Sequence, residues 1–139
     1  MTPPGKMSTG RFCWVDLAAT DASGAMEFYR QLFGWTSHPQ EANGGVFTRL
    51  RLAGQDVGSL YQLQREHIAQ GAPSHWTPYV QVDDLAAAAR RVEALGGQVL
   101  VQPFLVSGVA RIALIADAVG APLGLWEPLE ADGEDGGTG

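Results

Sequence analysis

The sequence predicts an α+β fold built from two tandem βαβββ modules, and three observations support this prediction. First, residues 11–19 alternate like a strand and lead into an amphipathic helix that stops at Gly34. Second, the same order restarts in the second half of the chain, where the helix stops at Gly97. Third, a shift of 63 residues places Leu17 on Val80 and Gly34 on Gly97. Such self-similarity indicates two copies of one unit.

The first module opens with a strand whose two faces differ in character. Cys13, Val15 and Leu17 share one face, and we expect them to pack under the first helix. Trp14 and Asp16 lie on the opposite face, together with Phe12. A strand with one apolar face against a helix leaves its other face for a binding site.

The first helix is predicted from an apolar stripe at helical spacing. Ala25, Tyr29 and Leu32 form the stripe, and Thr20 or Asp21 supplies the side-chain oxygen that caps the first turn. The residues that follow contain alternating runs separated by turn-forming residues. They predict strands within residues 35–40, 46–52 and 57–63.

The second module repeats this order. Trp76, Pro78, Val80 and Val82 share the apolar face of its opening strand, and we expect them under the second helix, which Asp84 caps. Because Pro78 has no N–H group, at least one side of that strand is expected to lack a partner. Further strands are predicted at residues 98–102, 109–116 and 122–127.

Length and composition indicate one domain with two tails. The 139 residues suffice for one core, so we predict a single domain over residues 11–128, with modules at 11–63 and 74–128 and a linker at 64–73. Residues 1–10 and the acidic, Gly-rich residues 129–139 are predicted to be disordered. The net charge of -6 includes four acidic residues of that C-terminal tail, so the remaining chain carries -2. Nucleic-acid binding, which needs a basic face, is not expected.

Other classes of protein are disfavoured as well. The apolar runs are too short to cross a bilayer, and the N-terminus lacks the apolar core of a signal peptide, so we expect a cytoplasmic protein that does not bind membranes. Cys13 is the single cysteine and cannot form an internal disulfide, so we expect it to be a small core residue.

Several short motifs, taken in order, resemble those of the vicinal oxygen chelate superfamily, which includes glyoxalase I, bleomycin-resistance proteins and extradiol dioxygenases. The resemblance covers residues 11–128 and implies that the two modules enclose a cleft. It is carried by Leu17-Ala-Ala-Thr-Asp21, Phe33-Gly34-Trp35, Val82-Asp83-Asp84, Leu95-Gly96-Gly97, Asp117-Ala-Val-Gly120 and Gly124-Leu125-Trp126.

The resemblance also implies four metal-ligand positions, which fall on Trp14, Ser59, Thr77 and Gly124. An indole N–H group only donates, glycine has no side chain, and a neutral hydroxyl is a weak ligand for a divalent metal. We therefore expect no metal and no other cofactor.

The cleft-facing residues are the candidate site. We expect them to bind a small aromatic or amphipathic molecule through stacking and a few polar contacts. One alternative is a cofactor-free lyase, isomerase or hydrolase in which Asp16 or His75 acts as base, because burial would raise the pKa of Asp16. Another is an interaction module that forms a homodimer through the sheet edge near Pro78. The predicted ligand-binding residues are Trp14, Asp16, Ser59, Tyr61, Thr77, Tyr79, Gly124 and Trp126.

Overall fold

The computed structural model describes residues 9–43 and 45–129 and confirms the predicted α+β fold of two βαβββ modules. Each module contains a strand, a helix and three further strands, and a short extra helix lies between the modules. The elements are β1 (Phe12–Ala19), α1 (Ala22–Phe33), β2 (Thr36–Ala42), β3 (Gly45–Leu52), β4 (Gln55–Gln62), α2 (Arg65–Ala69), β5 (His75–Gln81), α3 (Leu85–Ala94), β6 (Gln98–Val106), β7 (Ala110–Ala116) and β8 (Pro122–Pro128).

The chain divides into two compact units, which we describe separately. The N-terminal unit is Trp14–Thr77, and the C-terminal unit comprises the described residues up to Cys13 and those from Pro78 onward. The units therefore differ from the predicted modules in one respect: β1 begins in the C-terminal unit and β5 begins in the N-terminal unit.

In the N-terminal unit, the strands lie in the order β2-β3-β4-β1. Strand β1 runs parallel to β4, whereas the two hairpins are antiparallel. The core lies between this sheet and α1, and Leu50 and Leu60 are at most 1% exposed. Full burial of one such side chain is worth about 1.5–3 kcal/mol, so this core fixes which face of the sheet α1 covers. Its buried members are Leu17, Ala19, Leu50 and Leu60.

In the C-terminal unit, the strands lie in the order β5-β8-β7-β6, with β5 parallel to β8. β5 pairs with β8 through Tyr79, Val80 and Gln81. The Gln81 amide also donates a hydrogen bond to the Arg11 carbonyl oxygen at 2.9 Å, so β5 has partners on both sides and the prediction of a sheet edge near Pro78 is wrong. Helix α3 covers a second core, against which Val82 packs as predicted. The buried members of this core are Leu85, Ala113, Ile115 and Leu125.

Both module helices begin in the same way. Asp21 accepts a hydrogen bond from the Gly24 amide, and Asp84 accepts one from the Ala87 amide, each at 3.0 Å. These bonds satisfy N–H groups that the helix itself leaves without partners. Helix α1 ends at Gly34, which has the left-handed φ of 80° that favours glycine at a C-cap.

The N-terminus of each module helix receives a second side-chain hydrogen bond, from the last strand of the same module. The side chain of Gln62 accepts a hydrogen bond from the Ala22 amide at 2.8 Å, and that of Glu127 accepts one from the Leu85 amide at 2.8 Å. Both amides directly follow a capping Asp, so the duplication extends to the detail of helix capping.

Several packing predictions are wrong. Trp76 does not lie under α3 but contacts Tyr29 of α1 and Trp35, and its indole N–H donates a hydrogen bond to the Tyr29 hydroxyl. Val15 was expected under α1 but is 37% exposed, and Cys13 is half-buried instead of lying in the core. Leu17 does pack under α1.

Element boundaries also differ from the predictions. Residues 65–69, within the predicted linker, form a short helix that alternation and composition did not indicate. Strand β4 begins at Gln55, because the chain reverses at Ala53 and Gly54, whose φ values of 53° and 80° make a tight turn. Strand β6 continues to Val106 through Pro103.

Some predictions fall outside the described residues. The disorder predicted for residues 1–10 concerns mostly residues 1–8, and that of the acidic tail concerns residues 130–139, neither of which is described. Among the residues that are described, no helix has the length and apolarity to span a membrane.

Candidate functional site

Three of the predicted site residues form a hydrogen-bond chain in the N-terminal unit. The Trp14 indole Nε1–H donates to Ser59 Oγ at 2.8 Å, and the Ser59 hydroxyl donates to Asp16 Oδ1 at 2.7 Å. Ser59 is 5% exposed, and Trp14 and Asp16 are half-buried. The serine hydroxyl thus accepts from one neighbour and donates to the other, which fixes the orientation of all three side chains.

The sheet register explains why these residues meet. Asp16 pairs with Ser59 across the parallel strands β1 and β4, so both side chains lie on the same face. Leu17 and Leu60, one residue further along each strand, point to the opposite face and pack under α1. The candidate site therefore lies on the face of the N-terminal sheet that α1 does not cover.

The environment of Asp16 changes its acidity. Burial raises the pKa of the Asp16 carboxyl from its ordinary 3.8 to about 6, although the Ser59 hydrogen bond and the charge of His75 both lower it. The effect of burial is the largest, because the charged carboxylate loses its hydration. The hydrogen bond from Ser59 and the charge of His75 compensate for only part of this loss. Asp16 can therefore gain or lose a proton close to neutral pH.

Two neighbours of Asp16 also have defined electrostatic roles. Burial, and secondly the negative charge of Asp16, raises the pKa of the Tyr61 hydroxyl, so that Tyr61 remains a hydrogen-bond donor. The Nδ1 atom of His75 lies 2.9 Å from the Pro73 carbonyl oxygen, and because a carbonyl only accepts, Nδ1 carries a proton in this bond. His75 itself is exposed.

A cationic side chain lies on the same face. Arg49 pairs in register with Ser59 across β3 and β4, and its Nε lies 3.7 Å from Asp56 Oδ1. Arg51 approaches the same carboxylate oxygen at 3.1 Å. Because two guanidinium groups share one carboxylate, this cluster carries a net positive charge.

The C-terminal unit brings together three other predicted residues. Tyr79 pairs with Gly124 in the register of β5 and β8, and the rings of Tyr79 and Trp126 meet edge to face at 5.8 Å. Gly124 leaves no open space beside it, because a Cβ atom there would overlap the ring of Tyr79. Tyr79 is only 5% exposed, so it fills this space.

Comparisons with known proteins identify the family of the chain. The sequence profile of a family described as "Glyoxalase-like domain" matches residues 14–125. The chain belongs to this family. The match spans both modules, from the start of the N-terminal unit to β8.

Curated relatives are longer than this glyoxalase-like chain. It is 37% identical over 116 residues to the "Putative glyoxylase CFP32" of Mycobacterium tuberculosis, covering 82% of this chain and 44% of that protein. It is 31% identical to the "Anthracycline biosynthesis protein DnrV" of Streptomyces peucetius, covering 96% of this chain and 54% of that protein. The chain thus spans about half the length of the curated relatives it matches.

A solved structure supports the fold. Methylmalonyl-CoA epimerase from Mycobacterium tuberculosis superposes with a TM-score of 0.64 at 20% identity, and 94% of each chain is covered. At this level of identity, the likeness concerns the fold alone.

The residues of this glyoxalase-like chain do not fit a divalent metal at the four positions implied by the superfamily. In the N-terminal unit, Trp14 and Ser59 are hydrogen-bonded to each other, and Thr77 offers only a neutral hydroxyl. Gly124 offers no side-chain donor. Within the described part of the chain, no cluster of three or more His, Cys, Asp or Glu side chains has a metal-binding arrangement.

An aromatic cluster was missed by the sequence analysis. Tyr29 stacks against Trp35 at 5.2 Å and against Phe33 at 6.1 Å. Trp76 of β5 contacts the Tyr29 ring at 5.7 Å. Trp35 directly after the Gly34 cap was the available signal. Trp76 was assigned to the other module, which concealed the cluster. The cleft predicted between the two modules stays a prediction.

Proposed function

We propose that this glyoxalase-like chain binds a small aromatic or amphipathic molecule, without a metal ion, at Trp14, Asp16, Ser59 and Tyr61. The hydrogen-bond chain from Trp14 through Ser59 to Asp16 carries the proposal. It joins two of the positions where a metal-dependent relative would need ligands, and it leaves a carboxyl group with a pKa of about 6 to contact the bound molecule.

The chemistry of these side chains defines the ligand class. The rings of Trp14 and Tyr61 offer apolar surface for a flat molecule. Asp16 accepts a hydrogen bond from a hydroxyl or amine of the ligand when ionised, and Arg49, in register with Ser59, favours a ligand with an anionic group. The similarity to an anthracycline biosynthesis protein supports a ligand with fused rings.

A cofactor-free acid–base enzyme is the second candidate. A carboxyl group with a pKa near 6 is well matched to proton transfer at neutral pH, and the charge of His75 acts on it. In this case Asp16 would take a proton from a bound substrate. Turnover of a ligand separates the two candidates, because a binder returns the molecule unchanged.

Calorimetric titration with phenols, aromatic acids and one anthracycline tests the proposal. We expect at least one compound to bind, and we expect Asp16→Asn and Ser59→Ala to weaken its affinity about tenfold, as loss of a hydrogen bond to a charged group predicts. Glu27→Gln on the exposed surface of α1 is the control and should bind normally.

Metal dependence is tested with the same protein. Affinity should be unchanged after treatment with EDTA. A near-stoichiometric metal in the purified protein, whose removal abolishes binding, would contradict the metal-free proposal. Binding that is equally strong in wild type, Asp16→Asn and Ser59→Ala would exclude this face as the binding site.

A further inference from the structure

A cavity lies on the opposite face of the N-terminal sheet, beside α1. Its volume is about 300 Å³, which is at the lower end for small-molecule sites. It is bounded by α1 on one side, by the start of β5 on the other, and by β1 beneath. The residues that line it are Leu17, Ala19, Ala25, Phe28, Tyr29, Ser74, His75 and Trp76.

This cavity lies on the opposite face of β1 from the site of the proposed function, although His75, whose charge acts on Asp16, also lines it. Leu17 and Ala19 line the cavity and alternate along β1 with Asp16 and Ala18, so the two sets of side chains point to opposite faces of the sheet. A molecule in the cavity therefore contacts the α1 side, whereas Asp16 and Ser59 lie on the uncovered side.

The aromatic rings beside the cavity contact one another. The rings of Tyr29 and Trp76 meet edge to face at 5.7 Å, and Trp35 contacts both, at 5.2 Å and 6.4 Å. The Trp76 indole N–H also donates a hydrogen bond to the Tyr29 hydroxyl at 3.3 Å. These contacts restrain the rings before any ligand binds, which lowers the entropy cost of binding.

The other side of the cavity is anchored as well. The Ser74 hydroxyl accepts a hydrogen bond from the Thr20 amide at 2.9 Å and lies 3.1 Å from the Thr20 hydroxyl. These bonds tie the start of β5 to the corner between β1 and α1. The cavity is thus formed by three elements that are already linked.

Exposure and charge indicate the ligand. Phe28 is 58% exposed and Trp76 is 37% exposed, so apolar ring surface is open to solvent beside the cavity. The lining residues include no Asp, Glu, Lys or Arg, and their polar side chains are those of Tyr29, Ser74 and His75. An uncharged aromatic molecule with one polar atom matches this mostly apolar lining better than a charged one, because a charge would lose hydration in exchange for few polar contacts.

We propose that this cavity is a second binding site, specific for an uncharged aromatic molecule of one or two rings. Such a molecule stacks against Trp76 and Tyr29 and covers Phe28, while its polar atom stays near the hydroxyl groups of Tyr29 and Ser74. The restrained rings and the small volume of about 300 Å³ favour a small planar ligand.

Titration with 2-naphthol, followed by two-dimensional ¹H–¹⁵N NMR, tests this site. The chain has four tryptophans, so four indole N–H signals report on different places. We expect the signals of Trp76 and Trp35 to shift in the wild type and in Asp16→Asn alike, and that of Trp126 to stay. A Trp14 shift that Asp16→Asn removes would report binding at the other site. Ala25→Leu, which fills the cavity, and Trp76→Ala, which removes a ring, should each weaken binding at least about tenfold.

Two control variants make the result decisive. Leu32→Ala removes an exposed side chain from the same helix without touching the cavity and should keep the wild-type affinity. Asp16→Asn should also bind 2-naphthol normally in this cavity, although it weakens binding at the other site. If the NMR signals of Ala25→Leu match those of the wild type for residues away from the cavity, the variant is folded.

Three outcomes would overturn the second site. The first is absence of any shift at 2-naphthol concentrations up to about 1 mM, near the weak limit of specific binding. The second is binding that Ala25→Leu leaves intact but Asp16→Asn removes. The third is a wild-type dimer that Ala25→Leu or Trp76→Ala dissociates, since this would assign the exposed rings to a second copy of the chain.

Discussion

The titration of Asp16 makes a quantitative prediction about stability. Burial raises the pKa of this carboxyl from 3.8 to about 6, so the folded protein prefers the protonated form more strongly than the unfolded chain does. The stabilisation that results is present below pH 4 and is lost as the pH rises from about 4 to about 6. At 1.36 kcal/mol for each pH unit, this interval corresponds to about 3 kcal/mol.

The substitution Asp16→Asn isolates this effect. Asparagine has nearly the same shape, its side-chain oxygen can still accept the hydrogen bond from Ser59, and it does not ionise. We therefore expect the variant and the wild type to have similar free energies of unfolding at pH 4. At pH 8 the variant should be more stable by up to about 3 kcal/mol.

Urea denaturation at one-unit intervals from pH 4 to pH 8 measures this difference. Asp21→Asn removes a carboxylate from an exposed helix cap while keeping a good capping residue, so it corrects for the loss of one surface charge. A stability difference between Asp16→Asn and wild type that is constant across this range, or that shrinks as the pH rises, would refute the assignment of a raised pKa to Asp16.

Three further predictions concern packing, capping and reactivity. Gly124→Ala should destabilise the protein by about 1–3 kcal/mol, because its Cβ would overlap the ring of Tyr79. Gly45→Ala, whose Cβ would have its nearest neighbour 3.9 Å away, should destabilise it far less. Equal losses of stability in thermal denaturation would contradict this. Asp84→Ala should lower stability by about 1 kcal/mol and Asp84→Asn should not, because only alanine loses the bond to the Ala87 amide; the same denaturation assay decides. Burial raises the pKa of the Cys13 thiol to about 11. Alkylation of the folded protein by iodoacetamide at pH 8 should therefore be about 100-fold slower than alkylation of the protein unfolded in urea. Equal rates would show that this thiol is not shielded.

Local chemistry explains why much of the fold was predictable. Asp21, Asp84 and Gly34 act through bonds or backbone angles within a few residues, so their capping roles follow from sequence alone. The alternation of β1 likewise places Leu17 and Asp16 on opposite faces wherever the strand lies. The duplicated order of elements then predicts two βαβββ modules, and the short motifs within them resemble those of the vicinal oxygen chelate superfamily.

Long-range placement explains the errors. The position of Trp76 in the alternating pattern is the same whether it packs on α1 or on α3, so the sequence could not distinguish the two. In the structure, Trp76 lies in the N-terminal unit and contacts Tyr29 of α1. Similarly, Tyr79 fills the space beside Gly124, although it lies 45 residues earlier in the chain. Neither contact has a signal in the local sequence.

By itself, the sequence determined the family, the two modules, the capped helices and the lack of good metal ligands at Trp14, Ser59, Thr77 and Gly124, because these depend on residue type and short-range spacing. Only the tertiary structure decided that Trp14, Ser59 and Asp16 form one hydrogen-bond chain, that burial brings the pKa of Asp16 to about 6, and that an aromatic cavity lies on the other face of the sheet. The physical reason is that burial and hydrogen bonding depend on which distant strands become neighbours, and strand register fixes this.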